Sequence, residues 1–148
     1  MTLNRLKKIW NNGEYALNGW LSINNSFIAE IMSRQNYDTL TIDMQHGLID
    51  YSDLIGMLQG ITGSNVTPIV RVPWLDPGYI MKALDAGAQG IISPMINNKK
   101  EAEEFVSYMR YPPLGNRSFG PTRQNIVQGS DYYKTCLLYT SDAADDVH

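Results

Sequence analysis

The chain has 148 residues, 43% apolar and 18% charged, which is enough to bury one core and too apolar for a chain disordered by composition. A net charge of −3 leaves no basic footprint for nucleic acid, no stretch approaches the roughly 20 apolar residues of a membrane span, and the basic cluster Arg5, Lys7 and Lys8 leads into no apolar signal core. A single cysteine, Cys136, forbids an internal disulfide and suits a reducing compartment, so the expectation is a soluble cytoplasmic protein with no nucleic-acid or membrane partner.

Leu3, Leu6, Ile9 and Trp10 recur at helical spacing and predict an N-terminal helix that Gly13 can end. Residues 16–23 form a first strand, with Gly19 and Trp20 inside it. Asn25 or Ser26 then caps a helix whose apolar face is Phe27, Ile28, Ile31 and Met32. The run over residues 39–46, rich in β-branched residues and bounded by Asp38 and Gly47, reads as a buried strand that ends in the polar side chains Asp43, Gln45 and His46. Asp50 starts the next helix, with Asp53 in its first turn and a stripe of Leu54, Met57, Leu58 and Ile61. Residues 67–72 are a third strand with Arg71 near its end. Asp76-Pro77 marks a helix start, Ile80, Met81 and Leu84 face the core, and Gly87 stops the helix. Residues 90–93 give a fourth strand. Asn98 with Glu101 resembles a capping box for a helix carrying Phe105, Val106 and Met109, which Pro112 and Pro113 cannot continue.

Strand and helix thus alternate after the first helix, which argues for an α/β fold with a parallel sheet and right-handed crossovers. The third and fourth strands are the most continuously apolar, as strands covered on both faces should be. After Gly129 the pattern dissolves, and Cys136 to Asp145 reads like translated sequencing-adapter DNA.

Sites in parallel α/β folds are built at the C-terminal ends of strands, where this chain carries polar groups. Asp43 and His46, three apart, are either a carboxylate orienting an imidazole general base or a turn-forming aspartate and a surface histidine. Arg71 is either a clamp for a carboxylate or developing enolate or the partner of Asp43 or Asp76 in a structural ion pair. Asp85 sits late in its helix, where the dipole disfavours negative charge, as an interface or site carboxylate or a solvated one. Arg117 and Arg123 lie in a glycine-containing stretch that binds an anion or forms a mobile surface loop. His46 and His148 are the only histidines; no metal-ligand set and no Gly-rich phosphate loop is evident.

Five segments occur in one family's order and spacing: Gly19-Trp20-Leu21, Ile42-Asp43-Met44-Gln45-His46, residues 68–73, Leu84-Asp85-Ala86-Gly87-Ala88 and residues 110–117. On these the chain resembles the 2,4-dihydroxyhept-2-ene-1,7-dioate aldolase / citrate lyase family, metal-dependent class II pyruvate aldolases on a TIM barrel. The likeness covers Leu17 to Tyr133. It implies that residues 1–134 are the N-terminal half of a (β/α)8 barrel, about four βα units plus the N-terminal helix. It leaves residues 135–148 as a tail outside the family, foreign or disordered. A complete TIM barrel takes about 250 residues.

The resemblance implies that a divalent metal, Mg²⁺ or Mn²⁺ with Co²⁺ a further option, holds pyruvate through its carboxylate and keto oxygens. His46 helps a metal-bound water remove a methyl proton, Asp43 orients His46, and Arg71 stabilises the enolate oxygen and binds substrate. Gln45 replaces the glutamate of many relatives beside the substrate. Asp85 approaches a neighbouring subunit's site, so a homo-oligomer is expected. The family's metal ligands, a glutamate and an aspartate on later strands, have no counterpart here, and no metal residue is assigned to this chain. Two functions follow: a carbon–carbon lyase cleaving 4-hydroxy-2-keto acids to pyruvate and an aldehyde once the barrel is whole, or a non-catalytic half-barrel that self-associates or binds a partner.

Overall fold

A computed structural model describes residues 4–129 and 131–139. Four parallel strands, β1 (Asn18–Leu21), β2 (Thr39–Asp43), β3 (Thr67–Arg71) and β4 (Gly90–Ile92), lie side by side in chain order. Each is followed by a helix: α2 (Ser26–Ser33), α3 (Tyr51–Ile61), α4 (Pro77–Ala86) and α5 (Lys99–Met109). Every crossover therefore returns the chain to the same end of the sheet, and all four strands deliver their last residues to one rim. Helix α1 (Arg5–Asn11) closes the opposite end. Its cap Asn4 accepts from Thr67 Oγ1 at 3.3 Å, and Arg5 pairs with Asp38 at 2.7 Å.

The helix starts follow the capping residues. Asn25, Asp50, Asp76 and Asn98 each accept from a backbone N–H of the first turn, and Asp50 with Asp53 completes a reciprocal box. In α3 the stripe Leu54, Met57, Leu58 and Ile61 is buried to 2% exposure or less, each side chain contributing about 2 kcal/mol by leaving water.

Register divides the sheet into two faces. Cα pairs Gly19 with Leu40, Leu21 with Ile42, and Ile42 with Val70, so these apolar residues share the helix-covered face. The alternate residues, Asn18, Trp20, Thr39, Thr41, Asp43 and Arg71, share the other face. There Asn18 Oδ1 accepts from Thr39 Oγ1 at 2.6 Å and from Thr41 Oγ1 at 3.0 Å.

Three expectations change. The strand buried along its whole length is β2, whereas β4 is half-buried throughout, because β4 is an edge strand and the β2 threonines are satisfied by Asn18. Helix α2 does not bury Phe27, Ile28 and Ile31: they stand 66%, 38% and 45% exposed, while Ala29 and Ser33 are buried. The reason is close helix contact. A Cβ on Gly60 of α3 would meet the Ser26 carbonyl at 2.6 Å, so small residues face α3 and the bulky ones are left exposed. Helix α7 (Tyr132–Tyr139) follows Gly129, after which no regular pattern was expected, and buries Cys136. The rest of that tail, residues 140–148, lies outside the described residues.

A further helix, α6 (Thr122–Gln128), had no expectation at all. Its Arg123 caps two other helices: Nη1 donates to the Ala86 carbonyl at 2.5 Å and Nη2 to Thr62 Oγ1 at 2.6 Å. Gly87, at φ +125°, makes room for this, since a Cβ there would fall 2.2 Å from Arg123 Nη1. Gly87→Ala is expected to cost about 2 kcal/mol through the disfavoured φ and the displaced cap, measurable by urea denaturation with an unchanged m value.

Candidate functional site

The rim at the C-terminal ends of β2 and β3 carries the residues singled out from sequence. Asp43 and Arg71 are Cα partners, and their side chains form a bidentate pair, Arg71 Nε to Asp43 Oδ1 at 2.9 Å and Nη2 to Oδ2 at 2.6 Å. Of the two ion pairs open to Arg71, the one with Asp43 forms, while Asp76 caps α4 through the Tyr79 N–H.

Asp43 is 2% exposed, yet its carboxylate is fully engaged. Beyond Arg71, Oδ1 accepts from the backbone N–H of Gln45 at 3.0 Å and of His46 at 3.2 Å, and Oδ2 accepts from Trp20 Nε1 at 3.2 Å. Burial alone would raise its pKa. The hydrogen bonds from Arg71, Trp20 and the two backbone amides outweigh that and hold it well below the usual carboxylate range. Arg71 is shifted further up, chiefly by its bond to Asp43.

The sign of the pH dependence follows. Below the unfolded-state value of about 3.9 an unfolded Asp43 takes up a proton that the folded one refuses, so stability falls by about 1.4 kcal/mol per pH unit as pH drops from there. Above that value the contribution is complete. Asp43→Asn should flatten this part of the acid-unfolding curve, measured as chemical-denaturation free energies between about pH 2 and pH 5.

His46 follows β2 by three residues. Its backbone is pinned through the Asp43 carboxylate, and Leu48 N donates to the Ser22 carbonyl at 2.9 Å, tying the same loop to the end of β1. Gly47 permits this turn: a Cβ there would sit 2.2 Å from the Asp43 carbonyl oxygen and 3.2 Å from Ser22 Cα. Asp43 grips the His46 main chain, and the exposed ring makes no hydrogen bond among the described residues. Gln45 likewise meets Asp43 through its backbone, its side chain half-buried.

Asp85 is not part of this rim. Helix α4 starts at the rim and runs away from it, so Asp85, near its last turn, lies toward the opposite end of the sheet. Its Oδ1 takes the Arg117 Nη2 at 2.6 Å. Arg117 is not in a solvated anion-binding loop: its side chain is 0% exposed, Nη1 donates to Tyr132 Oη at 3.0 Å, and its Cζ lies 4.6 Å from the Tyr111 ring centroid. Burial opposes its charge, but Tyr132 and Asp85 keep it firmly protonated. Neither arginine of this stretch is offered to a ligand.

Sequence reasoning missed Trp20 and Asn18. Both were legible in principle, because β1 alternates exposed and buried and its exposed positions share a face with Thr41 and Asp43. No group of three or more His, Cys, Asp or Glu able to hold a metal ion occurs among the described residues. No helix among them is long and apolar enough to cross a membrane.

The family model described as HpcH/HpaI aldolase/citrate lyase matches residues 17–145. The chain is 45% identical over 130 residues to the hydroxypyruvate/pyruvate aldolase of Rhizorhabdus wittichii, covering 88% of this chain and 52% of that protein. It is 39% identical over 101 residues to the 4-hydroxy-2-oxo-heptane-1,7-dioate aldolase of Salmonella dublin, covering 68% of this chain and 38% of that one. An HpcH/HpaI aldolase/citrate lyase family structure from Burkholderia cenocepacia superimposes with a TM-score of 0.80 at 31% identity, over 93% of this chain and 57% of the other. The chain thus spans about half the length, or less, of the curated relatives it matches.

Proposed function

The chain belongs to the HpcH/HpaI aldolase/citrate lyase family, and from that premise we propose that it supplies the β2–β3 half of a pyruvate-aldolase site in a TIM-type barrel, acting on a small 2-keto acid. The observation that carries this reading is the Asp43–Arg71 pair at the strand rim, with Nη1 of Arg71 left unbonded among the described residues. In the cleavage direction a base takes the 4-hydroxyl proton of a 4-hydroxy-2-keto acid. The C3–C4 bond breaks, the aldehyde leaves, and the electron pair passes into the C2 carbonyl to give an enolate, which a proton at C3 converts to pyruvate. Arg71 Nη1 stabilises the enolate oxygen, and the exposed imidazole of His46 exchanges protons at the same rim. Asp43 and Gln45 shape this wall, and Asp85 belongs to a contact between subunits of a homo-oligomer.

The family resemblance brings a divalent metal with it, but the donors present do not fit one. Both Asp43 oxygens are taken by four donor groups, and His46 stands without a second ligand beside it. No step is assigned to a metal on these residues. The buried, unoxidised thiol of Cys136 suits a reducing setting such as the cytoplasm.

The test is a chimera in which this chain replaces the matched part of the Rhizorhabdus aldolase. A folded chimera should release pyruvate from a 4-hydroxy-2-keto acid and exchange the methyl protons of pyruvate in deuterated water. A chimera that folds and does neither would refute the proposal.

A second reading, a non-catalytic half-barrel that associates with itself or a partner, draws on different observations. The β1 and β4 edges have no strand partners among the described residues, and Phe27, Ile28 and Ile31 of α2 stand exposed. Light scattering of the isolated chain at several concentrations tests it: a monodisperse monomer throughout would exclude it.

A further inference from the structure

Asp43 and Arg71 meet on a third side chain that neither expectation nor the proposed chemistry has used. Trp20 lies on β1 and, like Asn18, shares their face of the sheet. Its indole N–H donates to Asp43 Oδ2 at 3.2 Å, and the Arg71 Cζ lies 4.9 Å from its ring centroid. It therefore touches both members of the pair, one through its polar edge and the other through its π face. A tryptophan kept only for packing would sit in the core, but this one is 44% exposed.

The geometry has a directional result. A guanidinium held along its Nε–Nη2 edge by one carboxylate can still rock as a unit with that carboxylate. The Trp20 N–H fixes the carboxylate, and the Trp20 ring limits motion of the guanidinium perpendicular to its plane. With Nε and Nη2 bonded to Asp43, the remaining free nitrogen, Nη1, keeps one heading.

We propose that Trp20 is a positioning residue, which braces the Asp43–Arg71 pair so that Arg71 Nη1 is presented at the rim to an anionic oxygen such as that of an enolate or carboxylate. The inference rests on the reading of Asp43 and Arg71 as part of the site, but its test does not need catalysis.

Nuclear magnetic resonance of the isotopically labelled chain follows two signals, the Arg71 Nε–H, assigned through Arg71→Lys, and the Asp43 carboxyl carbon. Trp20→Phe keeps a ring and removes the N–H; Trp20→Leu removes both. In Trp20→Phe the acid titration of Asp43 should begin about one pH unit higher, since one charge-assisted hydrogen bond is lost. Exchange of the Arg71 Nε–H with water should quicken about tenfold, and Trp20→Leu should move both signals further. Unaltered Asp43 and Arg71 signals in Trp20→Phe would overturn the inference, and that variant decides alone if Trp20→Leu does not fold. The expected signals in a chimera without aldolase activity would remove the reading of the site and leave the brace standing.

Discussion

Arg71→Ala in the chimeric barrel is expected to lower kcat by about 10²–10³-fold, the usual effect of removing one donor aimed at a developing oxyanion. The KM for the keto acid should change far less, because the interaction strengthens as charge builds on the oxygen. Arg71→Lys should recover little. A lysine ammonium has no fork to grip Asp43 and offer a second edge at the same time. Because the substitution also strips Asp43 of its strongest partner, the kinetic result must be read beside a melting curve. Asp43→Asn supplies the comparison, since it disturbs the pair from the other side and leaves the guanidinium in place. Activity in Arg71→Ala equal to that of the parent chimera would end the assignment of this side chain to the reaction.

Arg117→Met is expected to destabilise the fold by about 3 kcal/mol. For a chain of this size that corresponds to a fall of roughly 10 °C in Tm. The loss comes from what the substitution leaves behind. Asp85 keeps a carboxylate that is 25% exposed without its counter-ion, Tyr132 loses a donor to its buried hydroxyl, and Tyr111 loses the cation stacked at 4.6 Å. Partial exposure of Asp85 lets water reach it, which holds the effect at the low end for a broken buried pair. Adding Asp85→Leu to Arg117→Met should restore part of the stability, because the orphaned charge goes with it. Scanning calorimetry of the two single variants and the double variant measures the coupling. Additive losses would mean that the two side chains do not act as a pair.

These two arginines show where reading a sequence stops. Both occur in motifs that resemble the family, and both were candidates for anion binding. Arg71 faces an open rim with one nitrogen free, whereas Arg117 is enclosed by Tyr111, Tyr132 and Asp85, the last of these 32 positions away in the chain. Sequence spacing carries no information about such enclosure, since it depends on how residues 110–139 fold back over α4.

Local signals were strong wherever the physics is local. Four capping residues, Pro77 at a helix start, the α3 stripe and the alternation of strand and helix all act within a few residues, and each could be read before any fold was known. From them come the parallel sheet, the common rim and the presence there of Asp43, His46 and Arg71. Tertiary structure alone decided that β4 is an edge, that α2 turns Phe27 and Ile31 outward, that Asp43 grips the backbone of His46 rather than its ring, and that Trp20 completes the pair. Each of these depends on register between strands or on how closely two helices approach, and such distances are set by the whole packed core rather than by neighbours in the chain.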